Sequence, residues 1–168
     1  MQQIKSFDVS YWLIITLCFL YQAAISPFVS VGLDMLVKRF SFGYTAAGWI
    51  IMLVFMSSCL AAGIWIYLIG KYPQIRSRIF IVIGTVYIVG HTSIYLLPNA
   101  NEPSVVLYVI VIICCILFGC CDGAYTSLLV PSVSLITDKN NSGVAYSFPG
   151  IAINLAVVFT SLVGSAVI

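Results

Sequence analysis

The chain has 168 residues, of which 62% are hydrophobic and only 7% are charged. Soluble domains carry about 25% charged residues, so this composition, with a mean hydropathy of +1.13, excludes an ordinary soluble fold and indicates an integral membrane protein. The net charge of +2 is too small for a nucleic-acid-binding surface. The lipid bilayer is therefore an expected partner and nucleic acid is not.

Five apolar stretches predict five transmembrane helices, because about 20 apolar residues suffice to cross the hydrocarbon core. The predicted spans cover residues 11–37, 44–69, 79–97, 105–136 and 143–168. The first stretch is too long for a signal peptide and is not bounded by a small-residue cleavage site, so we interpret it as a true span. The predicted fold class is an all-α integral membrane protein.

Basic residues in the loops predict the orientation of these spans. If the chain crosses the membrane at each stretch, five basic residues collect on one side (Lys5, Lys71, Arg76, Arg78 and Lys139). Only Lys38 and Arg39 collect on the other side. Since cytoplasmic loops carry the excess of Lys and Arg, we expect a cytoplasmic N-terminus.

The fourth span carries one carboxylate, Asp122, near its middle, between Gly119 and Gly123. A charge at the membrane centre costs about 2.5–3.5 kcal/mol on insertion scales, so such residues usually face a bundle interior or a wet cavity. We predict that Asp122 binds a substrate amine or a proton in a central cavity. The alternative is a structural carboxylate that is hydrogen-bonded to Thr126, one turn further on, or to a neighbouring helix.

Polar residues also recur along two other spans. On the first span Gln22, Ser26, Ser30 and Asp34 recur every fourth residue, so this stripe should face protein or water, and Pro27 should kink the helix. On the fifth span small and polar residues keep to one face (Gly143, Ser147, Gly150, Asn154, Ser161 and Ser165). The amide of Asn154 can donate and accept, which suits a peptide backbone; the alternative is an interhelical hydrogen bond. The candidate substrate-binding residues are thus Asp122, Asn154, Thr126 and Gln22.

The remaining reactive residue types are interpreted as structural. All six cysteines lie within apolar runs, where cysteine packs as a small hydrophobe, so no metal site and no cofactor are expected. His91 and Asp34 lie near span ends and are expected to be structural or interfacial. Gly119 and Gly123 are expected to let helices approach closely.

The loop after the second span resembles a motif of the major facilitator superfamily, Gly-x-x-x-Asp-[Arg/Lys]-x-Gly-[Arg/Lys]. In the stretch Gly63–Lys71 both glycines and the final Lys are in register, but Tyr67 replaces the Asp and Leu68 the next basic residue. The order of features is similar to the C-terminal half of such a transporter. The resemblance implies helices seven to eleven of a twelve-span carrier, in which substrate binds near the midplane between two halves.

Within the superfamily the chain is most similar to the lysosomal dipeptide transporter family. The similarity is carried by Phe7, Trp12 and Pro27-Phe28 in the first span, Gly119 and Pro131 in the fourth, and Gly143–Tyr146 and Asn154-Leu155 in the fifth. The family has a Trp before the fourth-span proline, where this chain has Val130, so the substrate pocket is expected to differ. The resemblance implies a lysosomal membrane location and, by analogy, a glycosylated accessory membrane protein as a partner.

Two functions follow from these patterns. The first is transport of a small solute, such as a dipeptide or an amino-acid-like substrate, by alternating access, with a missing N-terminal half or partner subunit supplying the opposite wall. The alternative is a non-transporting structural or interaction protein, a remnant of a carrier. An enzyme is not expected, because the chain has neither His-x-x-Glu-His nor Gly-x-Ser-x-Gly and no residues that pair a nucleophile with a base.

Overall fold

The computed structural model describes residues 7–99, 102, 104–137 and 142–167. It contains five long helices: α1 (Val9–Phe40), α2 (Tyr44–Lys71), α3 (Arg76–Leu96), α4 (Val105–Ile136) and α5 (Ser142–Val167). A short 3-10 turn, Pro73–Ile75, leads into α3. All five helices are long and apolar enough to cross a membrane, and the described residues form no strand. The predicted fold class is confirmed, and the chain is a multi-pass membrane protein.

Three of the helices contain an internal proline, namely Pro27 in α1, Pro131 in α4 and Pro149 in α5. Each proline removes one backbone donor, and a membrane helix tolerates this loss when neighbouring groups satisfy the freed carbonyl. The helical conformation continues on both sides of Pro27. For Pro149 the freed carbonyl is that of Ala145, and it accepts a hydrogen bond from the hydroxyl of Tyr11 on α1.

The chain divides into two compact units. Unit 1 comprises Met1–Ser30 and Leu129–Ile168, and unit 2 comprises Val31–Leu128. Helices α1 and α4 contribute residues to both units.

Unit 1 has a small core around the start of α1. Tyr11, Val133 and Ala145 are buried together, and four partly buried apolar side chains pack against them (Phe7, Ile14, Ile15 and Phe148). The Tyr11 ring stacks on Phe7, with ring centroids 4.3 Å apart. These contacts join α1, α4 and α5.

In unit 2, Arg39 near the end of α1 connects α1 to the C-terminal end of α3. Its guanidinium donates to the carbonyl oxygens of Tyr95 at 2.7 Å and Leu97 at 2.6 Å, and to Oδ1 of Asn99 at 3.0 Å. The last carbonyls of a helix lack intrahelical donors and carry partial negative charge, so a cation stabilises them. Arg39 therefore caps the C-terminal end of α3 from another helix.

Candidate functional site

Asp122 lies on α4 of unit 2 and its side chain is half-buried. The hydroxyl of Ser58, on α2, donates a 2.7 Å hydrogen bond to its Oδ2 atom. This length is typical of a well-formed O–H···O bond, and bonds to a carboxylate are stronger than neutral ones. The only carboxylate of α4 is thus hydrogen-bonded to α2.

Two glycines permit this contact by bringing α2 and α4 close together. A Cβ atom on Gly123 would lie 2.5 Å from the carbonyl oxygen of Ser58 and 2.8 Å from the amide nitrogen of Ala62. A Cβ atom on Gly119 would overlap Ser57 Oγ and the carbonyl oxygen of Val54. Because most of these neighbours are backbone atoms, no larger residue fits. The close packing predicted for both glycines is confirmed.

Two further hydrogen bonds set the register between α2 and α4. Nε1 of Trp65 donates to the carbonyl oxygen of Cys120 at 3.1 Å. The hydroxyl of Ser127 donates to the carbonyl oxygen of Gly123 in its own helix at 2.7 Å and shares this proton with the carbonyl oxygen of Ala62 at 3.2 Å. Along α4, Cys120 precedes Asp122 and Ser127 follows it. A slide of one helix along the other would break these bonds, so Ser58 is held opposite Asp122.

Thr126 lies one turn after Asp122 and is exposed. Its hydroxyl donates to the backbone carbonyl oxygens of Asp122 at 3.0 Å and Gly123 at 3.1 Å. From the sequence, either Thr126 or a neighbouring helix was a possible structural partner for the carboxylate. In the structure the neighbouring helix supplies this partner, because Ser58 bonds the carboxylate. Thr126 bonds the backbone carbonyl oxygen of Asp122 instead.

The other two candidates, Gln22 and Asn154, lie in unit 1. Gln22 on α1 is half-buried, and Asn154 on α5 is exposed. The buried positions of α5 lie on a different face of that helix (Ala145, Pro149, Ala152, Ala156 and Thr160). The structure therefore brings Asp122 and Thr126 together on one helix, and it places Asn154 on the face that unit 1 leaves uncovered.

Sequence reasoning missed Ser58 and Trp65 as partners of the fourth span. A signal was present, since the pairs Ser57-Ser58 and Ala61-Ala62 recur after four residues, the spacing of Gly119 and Gly123. Two helices that each carry small residues at this spacing can pack closely along those faces. The spacing, however, does not say which serine reaches which polar group.

His91 and the cysteines have packing contacts. Nδ1 of His91 lies 2.9 Å from the carbonyl oxygen of Tyr87, and its ring centroid lies 4.7 Å from that of Phe118. All six cysteines are free thiols, four of them are buried, and Cys59 is exposed. These contacts agree with the structural interpretation of His91 and of cysteine as a packing residue.

Chemically, the Asp122 site offers an anionic acceptor with a hydroxyl donor fixed beside it. An ionised carboxylate accepts hydrogen bonds and attracts ammonium groups, and a protonated one becomes a donor. The Ser58 hydroxyl has one proton to donate and also accepts hydrogen bonds. Such a pair can bind an amine or a proton at membrane depth, and it can equally hold two helices together.

The chain is similar to two curated proteins over nearly its whole length. It is 24% identical over 165 residues to the lysosomal dipeptide transporter MFSD1 of Gallus gallus, and 23% identical to that of Danio rerio. The alignments cover 98% of this chain but 35% and 33% of the relatives, so the chain spans about a third of their length. No protein-family model matches the chain. No solved structure matches it.

Proposed function

We propose that this chain forms part of a carrier that moves a small solute, of the dipeptide or amino-acid class, across a membrane by alternating access. The observation that carries the proposal is the Ser58–Asp122 pair, because a half-buried carboxylate halfway along an apolar helix is costly unless it serves a polar site. Both relatives are named as lysosomal dipeptide transporters, which supports the proposal.

In this proposal the five helices correspond to most of the C-terminal half of a major facilitator superfamily fold. The remaining helices of the carrier would supply the opposite wall of a central cavity, and the two halves would rock around the bound solute. The exposed face of α5 supports this arrangement, because it presents Asn154 together with Ser147 and Ser161. An exposed amide within an apolar helix would face a wet cavity rather than lipid.

Each candidate residue has a distinct role in this cavity. The carboxylate of Asp122 binds the ammonium group of the solute or a proton, and Ser58 positions that carboxylate. The exposed Thr126 lies beside it, and its hydroxyl can accept a further hydrogen bond. The amides of Asn154 and Gln22, in unit 1, are proposed to donate to and accept from peptide groups of the solute.

The cellular setting is also part of the proposal. We place the carrier in the lysosomal membrane with a cytoplasmic N-terminus, on the basis of the relatives' names and the excess of basic residues in one set of loops. The remaining half of the carrier is the first partner to seek. A glycosylated accessory membrane protein is a second, proposed by analogy with the family that the sequence resembles.

The test is uptake by the complete carrier that contains this chain, reconstituted in proteoliposomes with radiolabelled dipeptides. Asp122→Asn keeps an oxygen that accepts the Ser58 hydrogen bond but removes the charge, so we expect uptake to fall about tenfold or more while folding is kept. Asp34→Asn is the matched control, because Asp34 is exposed near the end of α1. Unchanged uptake and unchanged pH dependence in Asp122→Asn would disprove the role of this carboxylate.

The alternative function is a membrane protein that packs against other subunits without transporting. One observation favours it: Tyr67 stands where the superfamily motif has Asp, and its exposed ring lies 5.9 Å from Nζ of Lys71. An aromatic contact to Lys71 therefore stands where the motif's Asp would supply a charge. In that case the reconstituted protein would show no uptake, and the Ser58–Asp122 bond would contribute only to folding.

A further inference from the structure

A groove lies on unit 2 between α3 and α4, separate from the Ser58–Asp122 contact. Its volume is about 390 Å³, and most of its lining is apolar (Val86, Val89, Gly90, Ile110, Ile113 and Leu117), with Cys114 and the two hydroxyl residues Thr85 and Ser93 completing it. The hydroxyl of Thr85, at the groove's edge, donates to the carbonyl oxygen of Ile81 at 2.9 Å and is satisfied within its own helix. The groove therefore presents an apolar surface suited to a hydrocarbon chain.

Three cations lie before α3 and in its first turn. The segment Gly70–Arg78 contains Lys71, Arg76 and Arg78 and no acidic residue. Nζ of Lys71 lies 5.4 Å from the ring centroid of Tyr72, and Arg78 is exposed. Within the described part of the chain these three cations have no acidic partner. Arg76 and Arg78 lie in the first turn of α3, where the partial positive charge of the helix end disfavours cations. Helix stability therefore does not explain these two arginines.

Arg78 and the groove lie on the same face of α3. Arg78, Val82, Val86 and Val89 follow one another at spacings of four, four and three residues, which is the repeat of a single helix face. At 1.5 Å per residue, the α3 part of the groove extends from about 10 to about 22 Å beyond Arg78. One leaflet of the hydrocarbon core is about 15 Å deep. A headgroup at Arg78 would therefore bring its acyl chain into the near part of the groove, beside Thr85 and Val86, with the end of the chain close to Val89.

We propose that an anionic phospholipid binds along α3, with its phosphate at the exposed Arg78 and one acyl chain in the groove between α3 and α4. Positive-inside topology accounts for basic residues at this end of α3, but it does not account for an arginine in line with an apolar groove. The cytoplasmic leaflet, which this loop is expected to face, is the one rich in anionic lipid. This site is independent of solute transport.

The test is native mass spectrometry of the purified protein in detergent, titrated with dioleoyl phosphatidylglycerol or dioleoyl phosphatidylcholine. We expect the anionic lipid to be retained about fivefold more strongly, as one basic residue near a charged headgroup contributes. Arg78→Gln should remove this preference and leave phosphatidylcholine unchanged. Val89→Phe should weaken retention of both lipids, because its ring fills the groove.

Two control variants match these changes. Lys38→Gln removes an exposed cation from the last turn of α1, and Ile88→Phe adds a ring to an exposed position next to the groove; neither should alter lipid retention. Equal retention of the two lipids by the unaltered protein would overturn the proposal. So would a Val89→Phe variant that behaves like Ile88→Phe, or a co-purifying polypeptide that occupies the groove in place of lipid.

Discussion

The hydroxyl of Tyr11 donates a 2.9 Å hydrogen bond to the carbonyl oxygen of Ala145, and both residues are fully buried. Ala145 lies four residues before Pro149, which has no amide hydrogen and cannot donate to that carbonyl. The start of α1 therefore satisfies the backbone group that the proline of α5 leaves open. An aromatic residue at the first span and a proline in the fifth are thus parts of one interaction.

The first prediction concerns this bond. Tyr11→Phe should lower the free energy of unfolding by about 1 kcal/mol, because it leaves a buried carbonyl unsatisfied. In a Pro149→Ala background, where the helix regains its own donor, the same change should cost less. The measurement is a double-mutant cycle of unfolding in detergent micelles. An equal cost in both backgrounds would show that the hydroxyl does not replace the missing amide.

The second prediction concerns the approach of α2 and α4. Gly123→Ala should destabilise the protein by about 1–3 kcal/mol, the usual cost of overpacking, because the new methyl group meets backbone atoms of Ser58 and Ala62. Gly84→Ala is the control, since a Cβ at Gly84 meets nothing within 4 Å and alanine favours a helix. Relative to the unaltered protein, the melting temperature should fall in Gly123→Ala and rise slightly in Gly84→Ala. Similar melting temperatures would contradict the close contact.

The third prediction concerns the cap on α3. Arg39→Lys keeps the charge but lacks the planar fork that contacts Tyr95, Leu97 and Asn99 together. We expect faster amide hydrogen exchange in the last turn of α3 and a loss of about 1 kcal/mol of stability, as for other lost hydrogen bonds. Lys38→Arg, at the neighbouring exposed position, should change neither. Unaltered exchange in Arg39→Lys would mean that the cap contributes nothing.

The fourth prediction concerns Asn154 and rests on the proposed function. Because its side chain is exposed, Asn154→Ala should change the stability of this chain by less than about 0.5 kcal/mol, as for other surface substitutions. The apparent KM for the solute should rise several-fold in the complete carrier. Leu155→Ala, at the next exposed position, is the control for the loss of side-chain volume. Loss of folded protein in Asn154→Ala, without a change in KM, would assign the amide to helix packing.

The fold class followed from the sequence because membrane spans are decided locally. Long apolar runs such as Val105–Ile136 must satisfy their own backbone groups in lipid, so length and hydropathy suffice to predict a helix. The same locality explains why Gly119 and Gly123 could be recognised as close-packing positions. Their spacing is a property of one helix and needs no knowledge of its neighbour.

Partners across helices were decided only by tertiary structure. The bonds from Ser58 to Asp122 and from Tyr11 to Ala145 join residues 64 and 134 positions apart in the chain. A repeat of 3.6 residues says which side chains share a face, but not which other helix covers that face or at what height. The register came from backbone contact at the glycines and from the carbonyl that Pro149 left open. These features depend on how the helices meet, so sequence determined the helices and packing determined the site.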